Sequence, residues 1–347
     1  MDTTELDYDL PRHMIAQEPA PGREESRLLV LDRAAGTIGH RRFSDLPDFL
    51  GSGDLLVINE SRVVPARVRL VKEGTGGAVD VLLVAPAGAG SWEALLAPAG
   101  RVRPGLRLCA PGTGPVAEIV ARSGNGRWLV RELGVTPGGL AEALGEMPLP
   151  PYIRRNGDAR LKDLDRERYQ TVYARVPGSV AAPTAGLHFT DCALRRVGEA
   201  GAGVVRIVLH VGPGTFRPVT AARLEDHRMD AEPFEVPAPA VAELREAVRS
   251  GRRIVAVGTT SVRVLETLGP EGLGLDGPVR GETGIFIRPG FRFRVVGAML
   301  TNFHMPRSTP LALVIALCGS RLVRRAYSEA IASGYRFLSY GDAMLIT

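Results

Sequence analysis

Three histidines in this chain stand between large apolar neighbours: Leu187-His188-Phe189, Leu209-His210-Val211 and Phe303-His304-Met305. On a strand, successive side chains point to opposite faces, so neighbours packed into a core would turn the imidazole toward a cleft or solvent. With 45% of residues apolar, about one histidine in five meets this pattern by chance, and the chain holds six. A neutral imidazole so placed can act as a general base or an orienting donor. The plainer alternative is a histidine hydrogen-bonded in the core. Around His188 the stretch PTAGLHFT is short of bulk, which leaves room for backbone and imidazole to approach a ligand.

A second candidate is Gly258-Thr259-Thr260-Ser261, which follows the apolar run IVAV and opens a helical pattern. Its hydroxyls can cap the helix, and the free first-turn N–H groups attract carboxylates and phosphates. An ordinary cap is the alternative. HVGPGTF, from His210 onward, offers a loop bordered by Gly212 and Gly214 where backbone could approach a flat ligand. Neither stretch is a Walker loop or a GxGxxG fingerprint, so nucleotide hydrolysis and nicotinamide chemistry lack support. Arg62 and Arg67 lie among small residues in SRVVPAR, and arginine forks bind carboxylate or phosphate. DHRMDAE sets His227 among acids but has no HExxH or regular ligand spacing, so no metal is expected.

These residues need elements to position them. Residues 26–38 read as strand, turn and strand; 43–59 read as a short helix, a Gly-Ser-Gly stop and a buried strand. From about Arg67 to Leu149, short Val/Leu runs are punctuated by GTGG, AGAG, PGTG and SGNG, which predicts a small antiparallel barrel or sandwich. PLPPYI closes that region as a stiff linker. The texture beyond it is α/β. A strand with a glycine-rich exit covers 206–216, a helix 239–251, a strand-turn-helix unit 252–269, and one helix 308–334 with Ser308 or Thr309 as cap and Pro310 in the first turn. The expected fold is α/β, a mixed sheet or barrel with surrounding helices, from residues 1–66 and 149–347, plus an inserted all-β barrel domain at 67–148.

The chain's 347 residues suffice for a large core and one to three domains. Its net charge of +5 permits an RNA partner without requiring one. Cys109, Cys192 and Cys318 are scattered and read as reduced packing residues. No apolar run approaches the ~20 residues of a membrane span. The acidic N-terminus lacks an apolar signal core, so a cytoplasmic location is expected.

Long stretches of the chain resemble the S-adenosylmethionine:tRNA ribosyltransferase-isomerase family of queuosine biosynthesis. They run almost end to end: SRLLVLDR, GDLLVIN, SRVVPAR, PLPPYI, ERYQTVYA, VAAPTAGLHFT, LHVGPGTF, VAVGTTSVRVLE, GIFIRPGFRF, LTNFHMPRST and YRFLSYGDAMLI. The resemblance implies an α/β domain with an inserted β-barrel. It also implies a reaction in which S-adenosylmethionine donates its ribosyl unit to 7-aminomethyl-7-deazaguanine in a tRNA anticodon. Adenine and methionine leave, and epoxyqueuosine forms. Neither a metal nor a second cofactor is implied, and a monomer is expected.

That reaction needs a base held against the weakly acidic C5′–H beside the sulfonium, in a water-poor pocket. The roles follow from the resemblance as expectations. His188 is the candidate base, and His210 or His304 the candidate donor to departing adenine. Pro183, Thr184, Ala185 and Gly186 would wall the donor site with Gly212, Gly214 and Thr215. Gly258, Thr259, Thr260, Ser261, Arg263 and Asn302 would complete it. Arg27, Asn59, Arg62 and Arg67 are expected at the acceptor RNA, with Tyr169, Gln170, His227 and Glu232. Two positions depart from the family pattern: Asp230 stands where HxMHxE has its second histidine, and STPLAL replaces STLLML. They keep open a relative acting on a small deazapurine or nucleoside. A three-histidine metallohydrolase is a further alternative. A bare RNA-binding module is disfavoured because only 5% of residues are aromatic.

Overall fold

Uninterrupted apolar runs decide the middle of the molecule. The computed structural model describes residues 1–100, 102–134 and 139–347. Asp54–Asn59 is buried at every position. Leu55 and Val57 join one hydrophobic cluster with Val262 and Leu265, while Leu56 and Ile58 join another with Phe189 and Val197. A strand buried on both faces belongs in a sheet covered by helices on both sides. Helices Ala238–Arg249, Gly258–Leu273, Thr309–Cys318 and Ser320–Ala332 contribute to the first cluster, and Asp191–Glu199 to the second.

The nine strands run in the order Val279–Thr283, Glu232–Val236, Gly203–Leu209, Asp54–Asn59, Arg253–Val257, Ala298–Asn302, Ala343–Ile346, Arg27–Asp32, Thr37–Arg42. Gly203–Leu209 through Ala298–Asn302 are mutually parallel, and antiparallel pairs flank them. The mixed α/β sheet expected from the sequence is therefore present. Six further strands between Arg67 and Glu132 close into an antiparallel barrel. Its interior is filled by alternating residues such as Val68, Leu70, Val79, Val81 and Leu83. One element there was not expected: helix Gly139–Leu144 adds Leu140 and Ala141 to the barrel core. Residues 135–138 of that stretch lie outside the described residues.

Two expectations change. The single helix over 308–334 is two helices, Thr309–Cys318 and Ser320–Ala332. Gly319 separates them at φ 81° and ψ 145°, a conformation open essentially to glycine. Nor does any of the three apolar-flanked histidines lie inside a strand. His188 ends the short 3-10 helix Thr184–His188, shaped by N–H bonds from Gly186 to Pro183 and from Phe189 to Gly186. His210 and His304 come just past the ends of Gly203–Leu209 and Ala298–Asn302. Strand alternation therefore does not set where these rings point.

Gly319→Ala is expected to lower stability by about 1–3 kcal/mol, the cost of forcing a Cβ into this backbone region. Urea unfolding of the two proteins measures it; an unchanged midpoint would mean the break does not depend on glycine.

Candidate functional site

Beyond the carboxyl ends of the parallel strands lies a cavity of about 810 Å³ of empty space, part of it open solvent. Ligands of α/β sheets bind at such strand ends, and volumes of this order hold small molecules. Three strand exits build it. Arg253–Val257 passes directly into helix Gly258–Leu273, with Gly258 at φ 83°. No side chain caps that helix. Gly258, Thr259 and Thr260 line the cavity, so the uncapped first turn borders it. Ala298–Asn302 delivers Thr301, Asn302, His304 and Met305. Past Gly203–Leu209 come Val211, Thr215 and Arg217, while Pro183, Thr184 and Ala185 supply the facing wall.

The buried amide of Asn302 organises this wall. Its Oδ1 accepts from the Thr184 hydroxyl at 2.9 Å, and its Nδ2 lies 3.1 Å from His188 Nε2. An amide NH₂ can only donate, so Nε2 accepts and the proton sits on Nδ1. Nδ1–H then donates to Ser26 Oγ at 2.7 Å, and Ser26 Oγ donates to the Arg23 carbonyl at 3.1 Å. Both ring nitrogens are thus occupied. Burial first, then Arg23, Arg336 and Arg168, push the imidazole down to about 3. His188 does not line the cavity. The turn Thr184–His188 carries its ring behind Asn302, where it borders a smaller hollow with Arg23, Arg168 and Tyr340.

His304 is the imidazole that lines the cavity. Its Nε2 pairs with Thr301 Oγ1 at 2.8 Å, and burial pushes it down to about 3. His210 does not line the cavity either. Its half-buried ring packs where a Cβ on Gly178 would come within 2.7 Å, and its backbone N–H donates to Pro233. Burial lowers its pKa, opposed by Glu235. One polar atom at the helix start lacks a partner: Thr260 Oγ1 is buried and unbonded. Such a group costs about 1–3 kcal/mol when unsatisfied, which a ligand hydroxyl or carboxylate would relieve.

A second hollow of about 1150 Å³, again including open solvent, adjoins the first. Thr215, Arg217 and Pro218 line both. Gly214, His227, Asp230 and Glu232 line the second. The His227 ring meets Phe286 edge-on at 5.1 Å, and burial lowers its pKa. Glu232 is buried; it accepts from the Gly212 N–H at 2.7 Å and pairs with Arg263. Burial raises its pKa, opposed by Arg263 and that N–H.

Most other expected site residues are held in the framework. Ser261 donates to the Val257 carbonyl. Arg263 is tied to Glu232 and the Thr283 carbonyl, beside a smaller hollow with Thr259. Gly186 abuts Tyr173, whose hydroxyl would lie 2.0 Å from an added Cβ. Asn59 brackets Leu209, accepting from its N–H and donating to its carbonyl. Gln170 does the same for Val63. Tyr169 is fully buried, and Arg62 is exposed. Arg27 stacks over Tyr335, on a strand that Ala343–Ile346 separates from the cavity-lining strand Ala298–Asn302. Arg67 pairs with Asp80 at the barrel and lines a separate hollow with Arg154 and Lys162. The sequence reading passed over Tyr152, Thr301, Arg217, Ser308 and Ser339, which all line the cavity. Tyr152 OH and Ser339 Oγ share a hydrogen bond of 2.7 Å. The available signal was a lone hydroxyl in an apolar or proline-rich run, as in PLPPYI. Among the described residues no group of three or more His, Cys, Asp or Glu could hold a metal, and no helix is long and apolar enough to cross a membrane.

A cavity at the carboxyl ends of a doubly covered sheet, with a closed barrel in the same chain, defines an α/β protein with a candidate ligand site. The chain belongs to the queuosine biosynthesis protein family, whose profile matches residues 3–346. The S-adenosylmethionine:tRNA ribosyltransferase-isomerase of Rubrobacter xylanophilus is 51% identical over 346 residues, 100% of this chain and 98% of that one. The Thermus thermophilus protein of the same name is 50% identical over 98% of both. A crystal structure of S-adenosylmethionine tRNA ribosyltransferase from Thermotoga maritima covers 99% of this chain and 100% of its own, at 35% identity and a TM-score of 0.56.

The depressed pKa of His188 fixes the sign of one pH effect. The unfolded chain takes up the proton below about 6.5 and the folded chain resists it, so stability is full above that value and falls as the pH drops toward 3. At about pH 5 the loss from this residue is about 2 kcal/mol. Urea unfolding at neutral pH and near pH 5 should show a smaller loss in His188→Gln than in the parent. Equal losses would place the ring in a more hydrated setting.

Proposed function

We propose that this chain is an S-adenosylmethionine:tRNA ribosyltransferase-isomerase of the cytoplasm. It transfers and isomerises the ribosyl unit of S-adenosylmethionine onto 7-aminomethyl-7-deazaguanine in tRNA, releasing adenine and methionine. The observation that carries the reading is the match of whole chain to whole chain, at 51% identity, with a relative of that name. The cavity supports it with small residues along residues 183–185 and 258–260, one imidazole that burial keeps neutral and one arginine.

In this reading S-adenosylmethionine is a substrate and occupies the cavity between residues 183–185 and the start of helix Gly258–Leu273. The uncapped helix turn and Thr260 Oγ1 receive the methionine carboxylate or the ribose hydroxyls. His304 is the base: with Nε2–H donating to Thr301, its Nδ1 lone pair accepts the C5′ proton. That same proton can then pass to departing adenine, so one imidazole serves as base and acid. Its neutral resting state suits the first step. Exclusion of water strengthens its interaction with the charge that develops. His188 holds Asn302 in place and takes no proton.

Residues 67–148 form an inserted domain in this reading, and the chain works as a monomer. The hollow between the barrel and residues 143–166 carries Arg67, Arg69, Arg154, Arg155, Lys162 and Arg166 alongside three acids. Its basic side suits the phosphates of a tRNA.

The test is mass spectrometry of adenine, methionine and modified tRNA after incubation with S-adenosylmethionine and precursor tRNA. Product is expected from the parent protein. In His304→Ala, single-turnover adenine release is expected to fall by about 10²–10⁴-fold, with His210→Ala close to the parent. Release from a free base but not from tRNA would favour a small-molecule acceptor. Full activity in His304→Ala would remove that residue's role.

A further inference from the structure

The hollow beside the cavity holds a carboxylate set in an unusual way. Asp230 Oδ2 is shut off from solvent and makes no hydrogen bond. It lies 3.6 Å from Arg127 Nη2 and 3.8 Å from Arg217 Nη1, too far for either to donate to it well. On its other side a Cβ at Gly214 would come within 3.0 Å, so the carboxylate packs closely against that backbone. About 30% of the side chain remains exposed, and since Oδ2 contributes nothing, that exposure falls on Oδ1 and the methylene. Asp230 lines the second hollow.

The two arginines that flank Oδ2 have different origins. Arg127 stands at the start of barrel strand Trp128–Glu132 and is bonded to Glu93 at 2.8 Å. Arg217 lines both the cavity and the second hollow. Asp230 is thus steadied from the barrel on one side and from the cavity wall on the other. Its outward oxygen can only accept, so the group it takes is an N–H or O–H donor. The adjoining hollow is the space from which an acceptor could reach a ribosyl unit bound in the cavity, because the two share the wall Thr215, Arg217 and Pro218.

We propose that Asp230 Oδ1 binds the protonated aminomethyl group of the acceptor base, holds that nitrogen toward the cavity, and takes one of its protons as the nitrogen's lone pair bonds to the ribosyl carbon. This rests on the reaction proposed above and adds the residue that recognises its second substrate. An ammonium against a steadied carboxylate makes a charge-assisted hydrogen bond, stronger than its neutral counterpart. The recognition is of charge as well as shape.

The experiment compares the parent, Asp230→Asn and Arg127→Ala with precursor tRNA, together with S-adenosylmethionine affinity by calorimetry and thermal midpoints. Asp230→Asn is expected to lose about 10–100-fold in kcat/KM for tRNA with S-adenosylmethionine affinity within about twofold of the parent. The deficit should shrink as the pH rises from about 7 to about 9.5, where an amine nears its own pKa. Arg127→Ala keeps the carboxylate and is expected to lose much less. If Asp230→Asn matched the parent, the inference would be wrong. Equal losses in both variants with lowered thermal midpoints would reduce Asp230 to a tie between barrel and sheet. A parent protein inactive on precursor tRNA would instead overturn the proposed reaction itself.

Discussion

A buried side-chain amide must have all its partners, and Asn302 meets that demand across the interior of this protein. Its oxygen takes the Thr184 hydroxyl and its nitrogen meets His188 Nε2. Those contacts tie the end of a central parallel strand to the turn Thr184–His188, over a sequence separation of 114 residues. They also fix the tautomer of His188 and continue through Ser26 to the Arg23 carbonyl. An unpaired member of such a chain would carry the desolvation cost of a buried polar group, about 1–3 kcal/mol. The wall of the cavity has its shape because this chain of donors and acceptors closes.

In the proposed reaction, catalysis and support are divided among the histidines by the same logic. His188 is neutral because burial and nearby arginines disfavour its charge, and both nitrogens are spoken for. His304 is also held neutral by burial, yet it borders the cavity and leaves one nitrogen uncommitted to the protein among the described residues. An imidazole can accept a proton from a substrate only where a lone pair is presented to it. Ser308, Thr301 and Thr260 line the same cavity, with the small residues Ala185 and Gly258.

Much of the architecture could be read in advance because its signals are local. Glycine-rich punctuation between Val/Leu runs marked the barrel, and buried runs such as LLVI marked the parallel core. GTTS after IVAV placed a helix start where the cavity later proved to be. The side on which each imidazole falls was not local. His188 looked like a strand residue between apolar neighbours, but Pro183 and Gly186 turn the chain into a single helical turn. His210 and His304 sit one or two residues beyond strand ends, where alternation no longer holds. Asn302, Thr301 and Tyr152 gain their meaning only from partners far along the chain. Polar residues that looked like ligands, Asn59 and Gln170, prove to bracket backbone of neighbouring segments.

The central claim is that His304, not His188, meets the substrate. Nitrogen-15 NMR of the imidazoles, recorded with and without S-adenosylmethionine, tests it most directly. The account predicts that His188 keeps its proton on Nδ1 and does not respond to the ligand, while the His304 Nδ1 resonance shifts on binding. A His188 ring that titrates in the ordinary range, or that alone responds to S-adenosylmethionine, would contradict it.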